Sequence, residues 1–365
     1  MQKFKHLLMA AVLLVTSGTV FVSCDDDEDN TSNPAAKVVM ESKKHDTAIL
    51  LCTFGSTFQE SIETYNATLA DFEDAFPDAD IYLSFTSRTC VNRVLAETGI
   101  DRYQPDLWLN ALGQAGYKRV AVQSLHIIPG EEYLSLMNTD VKKNFMIEKF
   151  PNIEVAKSPC LIYDEKDAEA VSAALYSHYQ TKLVDKTHLL LLMGHGNPDK
   201  NYNANGKYTD IEVAMQKLAS NKNVLVGTVD YGPMLFYPEE GEPNPECVYA
   251  KLNRYCKDNN LQPSEITISL APLMSIGGDH AHNDLWGIED GDDFSKATPN
   301  ADACWRLKLL KMGFKIDMEE SHNGSLEKCT IKGLGDYAAI RKIWVDHLKS
   351  MYNDDEAWTT GEDYQ

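Results

Sequence analysis

Short apolar runs rich in Val, Ile and Leu alternate along this chain with longer amphipathic segments, and this alternation confines the fold more than any other feature. An apolar run bounded by turn residues suits a strand buried on both faces. Such strands occur in parallel sheets covered by helices. The strands read this way are Thr47–Phe54, Ile81–Phe85, Arg119–Leu125, Ile153–Ala156, His188–Met193, Val224–Val229, Ile266–Ala271 and Lys315–Met318. Helices are expected at Ser61–Phe76, Cys90–Glu97, Pro105–Ala115, Glu165–Lys182, Tyr208–Leu218, Glu246–Asn259, Ala303–Lys311 and Ala338–Met351. The fold class is α/β.

The two halves read as diverged copies. The first opens with a strand ending Leu51-Cys52-Thr53-Phe54-Gly55, and the second with one ending Leu192-Met193-Gly194-His195-Gly196. Later, Val120–Leu125 runs into a loop ending Gly130-Glu131-Glu132, and Ile266–Ala271 runs into Gly277-Gly278-Asp279-His280. Superposing these glycines sets Glu132 opposite His280 and Phe54 opposite His195, all just beyond the carboxyl ends of strands. Open α/β sheets bind ligands there. The expectation is two similar lobes, residues 43–185 and 186–352, each a parallel sheet flanked by helices, with a cleft between them.

The ends of the chain read differently. Lys3 and Lys5 precede an apolar run from Leu7 to Val15, and Phe21-Val22-Ser23-Cys24 resembles a lipobox. The run is short for a membrane span, so residues 1–23 are expected to be a lipoprotein signal peptide, with Cys24 as the lipid anchor of an exported, periplasmic or cell-surface protein. Asp25 to Asp29 and the polar residues after them, 24–42 in all, read as a solvated tether, and residues 353–365 as an acidic tail.

Net charge is −21, and removal of residues 1–23 takes away two lysines and no acids. That balance argues against nucleic acid and against electrostatic docking on anionic lipid. Seven cysteines besides Cys24 include no C-x-x-C pair, which argues against a zinc ribbon or a thioredoxin-like site.

Chemistry concentrates at strand ends in the second half. Gly194-His195-Gly196 projects an imidazole with no bulky neighbour. Gly277-Gly278-Asp279-His280-Ala281-His282-Asn283-Asp284 packs two imidazoles, two carboxylates and an amide into eight residues, more polar valence than a turn requires. Imidazole nitrogen suits Co, Ni, Zn and Fe(II), and neighbouring carboxylates can orient the ring. Asp230 closes a third strand, so His195, Asp230 and His280 form a candidate divalent-metal set, with a solvated loop and a turn aspartate as the alternatives. Glu132 is a candidate to accept protons or to steer the metal, whereas His126, beside Ile127 and Ile128, reads as a packed histidine.

Thr53-Phe54-Gly55-Ser56-Thr57, Phe85-Thr86-Ser87-Arg88, Leu125–Tyr133, Met193–Gly196, Val226–Val229, Pro272-Leu273-Met274, Gly278–Asp284 and Lys332-Gly333-Leu334-Gly335 together resemble the anaerobic sirohydrochlorin cobalt chelatases, ATP-independent class II chelatases related to ferrochelatase. The resemblance runs in order from about Thr47 to Met351. It implies a lyase-type chelatase that inserts Co²⁺ into a sirohydrochlorin-like tetrapyrrole during anaerobic cobalamin synthesis, with His195, His280 and Glu132 catalytic. The metal is then a substrate, with Fe²⁺ or Ni²⁺ as alternatives. No nucleotide is implied, in keeping with the lack of a P-loop motif. Thr228-Val229-Asp230 stands where the family typically has Thr-Val-Glu, and residues 236–245 and 288–300 read as insertions. The competing reading is a lipoprotein that binds haem or another tetrapyrrole without inserting metal.

Overall fold

The computed structural model describes residues 33–99, 102–198, 203–236, 244–287, 304–318 and 331–364. The expected signal peptide, the Cys24 anchor, the aspartate run and most of both insertions lie outside these residues.

Eight strands fall where the apolar runs placed them: β1 (Thr47–Thr53), β2 (Asp80–Phe85), β3 (Arg119–Ser124), β4 (Glu154–Ser158), β5 (His188–Gly194), β6 (Val224–Thr228), β7 (Thr267–Pro272) and β8 (Lys315–Ile316). They form two four-stranded sheets, ordered β2-β1-β3-β4 and β6-β5-β7-β8, with every pairing parallel. The orders match strand for strand, so the internal repeat is structural. In each sheet the chain departs to opposite sides of the first strand, and the crevice left between β1 and β3, or β5 and β7, is the switch point at which α/β sheets bind ligands.

Helices cover both faces, and ten can be numbered: α1 (Pro34–Ser42), α2 (Gln59–Ala75), α3 (Arg88–Thr98), α4 (Pro105–Gln114), α5 (Glu131–Leu134), α6 (Glu165–Leu183), α7 (Gly206–Ala219), α8 (Val248–Asn259), α9 (Trp305–Lys311) and α10 (Ala338–Tyr352). Burial explains the strand composition: Ile49, Leu50 and Leu51 of β1 and Leu190, Leu191 and Leu192 of β5 are all fully buried. A period-two surface pattern would have left half of them in water.

Each half has a core cluster of its own, and a further one is shared between them. The shared cluster runs from Ile49 and Leu51 through Leu175, Leu190, Leu192 and Ile211 to Trp344. It is continuous because two helices change partners. Helix α6, which precedes residue 186, packs on α7 and β5 of the second half, whereas α10, at the far end of the chain, packs on α2, α6, β3 and β4. Each half thus completes the cover of the other.

Three segments depart from expectation. Residues 34–42 are not tether: Asn33 caps α1 by accepting from Ala35 N at 3.0 Å, donates to Leu107 O at 2.8 Å, and Ala35 and Val39 are buried beside α4. The acidic tail is not free either, since Thr359 pairs with Val155 on the edge strand β4, and Trp358 is buried under the Arg119 guanidinium. Covering an exposed edge in this way removes a row of unpaired peptide groups. Finally, residues after Gly130 form a helix: α5 continues as a π-helix, Ser135–Lys149, closed by Phe150 N donating to Phe145 O at 2.8 Å.

Candidate active site

The carboxyl ends of β1, β3, β5, β6 and β7 carry the residues singled out by their chemistry. At the end of β5, Gly194 and Gly196 are both required, for different reasons. A side chain at Gly194 would meet the Tyr208 ring at 2.3 Å, and at Gly196, where φ is +98°, it would meet the Asp230 carbonyl oxygen at 1.7 Å. The β6 loop therefore lies directly against the His195 loop, and Asp230 N donates to His195 O at 2.9 Å. His195 itself is exposed.

His280 follows β7 and begins a single wide helical turn, Ala281–Trp286, so the solvated loop that was the alternative reading does not form. That turn sets Asp284 one turn along from His280, and the Asp284 carboxylate accepts from His280 Nδ1 at 2.7 Å. Its partner ring is fixed similarly, because His195 Nδ1 lies 2.9 Å from the Gly196 carbonyl, which can only accept. In their neutral forms both imidazoles thus carry hydrogen on Nδ1 and keep Nε2 as the lone-pair nitrogen. The two rings touch edge to face, centroids 4.7 Å apart at 69°.

His282 has a different fate. It is fully buried, stacks on Phe58 at 3.8 Å, and its Nδ1 donates to Gly278 O at 2.8 Å. It holds the His280 loop down on α2, assisted by Ser61 Oγ donating to Gly277 O at 3.1 Å. His126 is packed, as its neighbours suggested: burial pushes its pKa down to about 4, and it pairs with the Ser124 hydroxyl at 2.8 Å.

Electrostatics separate His280 from an ordinary imidazole. The Asp284 hydrogen bond raises its pKa, burial opposes the rise, and the charges of Asp284, Asp279 and Asp230 add to it. Asp230 is thus close enough to be felt. Yet among the described residues no three His, Cys, Asp or Glu side chains converge as a metal cage. The three-ligand set His195, Asp230 and His280 is therefore not preassembled: the structure brings the two histidines together and leaves the Asp230 carboxylate outside a closed ligand set.

Glu132 is also separate from the pair. It lines a cavity of ≈ 500 Å³ with Thr86, Arg88, Gln104, Asp106 and Asp140, and neither histidine is in that wall. The loop before it is tied to the histidine side by Asn197, two residues beyond His195, whose Oδ1 accepts from Glu131 N at 2.9 Å. Asn197 is the functional neighbour that motif reading did not single out, whereas Asp284 is one of the neighbouring carboxylates expected to orient an imidazole and does so for His280.

Within the cavity, burial raises the Asp140 carboxyl to about 6, with further contributions from Asp106 and Glu132. The folded chain therefore holds this proton more tightly than the unfolded one. Its stabilising contribution is complete below about pH 4 and is lost as pH rises through about 6. Asp140→Asn, which cannot ionise, is expected to be more stable than the parent at pH 8 by on the order of 1 kcal/mol, after allowance for solvent screening, and to show no such gain at pH 4. Urea midpoints at the two pH values check this. An equal difference at both would mean that ionisation of Asp140 is not the cause.

Comparison with known proteins adds the family. Residues 47–353 match the family described as cobalt chelatase (CbiK), which covers both sheets and the histidine pair. The chain belongs to the CbiK cobalt chelatase family. Two curated relatives of the CbiK-family protein are each 26% identical to it. One is the sirohydrochlorin cobaltochelatase of Salmonella typhimurium, over 84% of this chain and 96% of the relative. The other is the sirohydrochlorin cobaltochelatase CbiKC of Nitratidesulfovibrio vulgaris, over 82% and 88%. Among solved structures, SirB from Bacillus subtilis with Fe³⁺ aligns at 12% identity and a TM-score of 0.48, over 83% of this chain and 94% of that one.

Proposed function

We propose that this CbiK-family chelatase inserts a divalent metal, Co²⁺ foremost, into a sirohydrochlorin-type tetrapyrrole without a nucleotide. The observation that carries the reading is the contact between His195 and His280 at the switch point of the second sheet, with each ring's tautomer set so that Nε2 is the donor. The two relatives named as sirohydrochlorin cobaltochelatases support the choice of macrocycle and metal.

Insertion exchanges M²⁺ for two pyrrole N–H protons, so the site must deliver a cation and receive protons. A pair of imidazoles suits delivery. They bind first-row divalent ions, yet a pair without further protein ligands leaves positions open for pyrrole nitrogens and does not trap the metal. Asp230, whose charge reaches His280, attracts the ion without completing a cage. Glu132, on the neighbouring wall, takes up pyrrole protons, and the Asn197 bond to Glu131 N holds that wall in register with the histidine loop.

The test is anaerobic mixing of the protein with sirohydrochlorin and Co²⁺, Fe²⁺ or Ni²⁺ in turn, following macrocycle absorbance against a protein-free control. Acceleration is expected for at least one metal, with Co²⁺ the fastest. No acceleration with any metal, together with a spectral shift on adding haem, would instead make the protein a tetrapyrrole carrier. Export and lipid anchoring at Cys24 rest on the sequence of residues 1–24.

A further inference from the structure

A tetrapyrrole of the sirohydrochlorin class carries several peripheral carboxylates, and this chain carries a net charge of −21. The cleft must therefore contain a local positive group, or binding would be opposed by charge. Three carboxylates, Asp106, Glu132 and Asp140, line the ≈ 500 Å³ cavity, and one cation shares it, Arg88.

The placement of Arg88 follows from the backbone. It is the first residue of α3, just after Ser87, which caps the helix by accepting from Cys90 N at 3.4 Å. Thr86 N donates to Thr53 O at 2.8 Å and Ser87 N to Phe54 O at 3.1 Å, so the segment is tied to the end of β1, at the switch point of the first sheet. The arginine is exposed and forms no ion pair among the described residues, despite the three carboxylates in the same cavity. Beside it, the Gln104 amide completes the polar wall. An unpaired guanidinium and an amide around one space match a planar carboxylate, which an arginine grips with two parallel N–H donors.

We propose that Arg88, with Gln104, binds a peripheral carboxylate of the tetrapyrrole and so sets which edge of the macrocycle enters the cleft. The surrounding acids sharpen this choice, because a carboxylate displaced toward Asp106 or Glu132 is repelled. The inference rests on the reading that this cleft takes a polycarboxylate tetrapyrrole, and it adds a specificity-determining residue to it.

The experiment measures fluorescence quenching on binding of metal-free sirohydrochlorin and of its fully methylated ester to the wild type, Arg88→Ala and Arg88→Lys. Arg88 is exposed, so neither substitution threatens the fold. Arg88→Ala is expected to weaken the free acid by about ten- to a hundred-fold and to leave the ester unchanged. Arg88→Lys, which keeps the charge but loses the fork, falls between them. In the insertion assay the same loss appears in KM, with kcat nearly constant. Equal loss of acid and ester, or no loss of either, overturns the assignment, as does a wild type that binds neither ligand. Metal insertion by a wild type whose Arg88→Ala variant binds normally would reject Arg88 and keep the chelatase. The expected binding pattern without insertion of any metal would reject the chelatase and keep Arg88.

Discussion

His280→Ala is expected to lower kcat for metal insertion by about 10²–10⁴-fold while leaving the circular dichroism and thermal midpoint close to those of the parent. The ring is only partly buried and stands at the start of a short turn, so its loss opens no core cavity. What is lost is one of two Nε2 donors, and the remaining imidazole cannot hold a divalent ion against water. His195→Ala is expected to do the same, and the double variant to be hardly worse than either single one, because the rings act as a unit across 4.7 Å. Asp284→Asn supplies an intermediate case. It removes the carboxylate that fixes the His280 tautomer at 2.7 Å, a change that typically costs about 10–100-fold at metal sites. Stopped-flow absorbance of the macrocycle under anaerobic conditions reads all four. Near-normal insertion by a well-folded His280→Ala protein would remove His280 from the mechanism.

The fold was legible because burial on both faces makes strands such as Leu189–Met193 continuous apolar runs, a signal that needs no knowledge of neighbours. The repeat was legible for a related reason, since equivalent strands end in equivalent glycine turns. Features that depend on distant partners were not. Helix α1 has only Ala35 and Val39 as buried contacts, too few to produce a periodic stripe, and its stability comes from Asn33 and α4. Trp358 and Thr359 read as part of an acidic tail because the edge of β4, which they cover, is some two hundred positions away in sequence. The exchange of α6 and α10 between halves is invisible to a division drawn at one point of the chain. The same limit applies to the site. His195, His280, Asp230 and Glu132 could be picked out one by one as polar residues at strand ends, but that the imidazoles touch while Glu132 lines a different wall is a matter of loop geometry. Asn197 carries no motif at all, and only the approach of Gly130 to its amide exposes its role.

That loop geometry hangs on Gly196, and Gly196→Ala is expected to reduce insertion about 100-fold although it adds one methyl group. Two effects act together. At φ +98° an L-residue is strained, and the new Cβ would sit 1.7 Å from the Asp230 carbonyl oxygen. That oxygen belongs to backbone and cannot rotate away, so the β5 and β6 loops must separate by more than 1 Å. Separation breaks the Asp230 N to His195 O bond and carries His195 away from His280. A misplacement of about 1 Å is enough to cost about two orders of magnitude in rate. Gly116→Ala is the control. Gly116 also has a positive φ, +70°, but nothing lies within 4 Å of its added Cβ, so it carries the conformational strain without the collision. The control is expected to lose about 1–2 kcal/mol of stability and to keep its activity, whereas Gly196→Ala loses activity at temperatures where it remains folded. Paired thermal melts and insertion rates separate the two effects. If both variants lost activity in proportion to stability, strain alone would account for the result, and the contact between the β5 and β6 loops would have no special part in positioning His195.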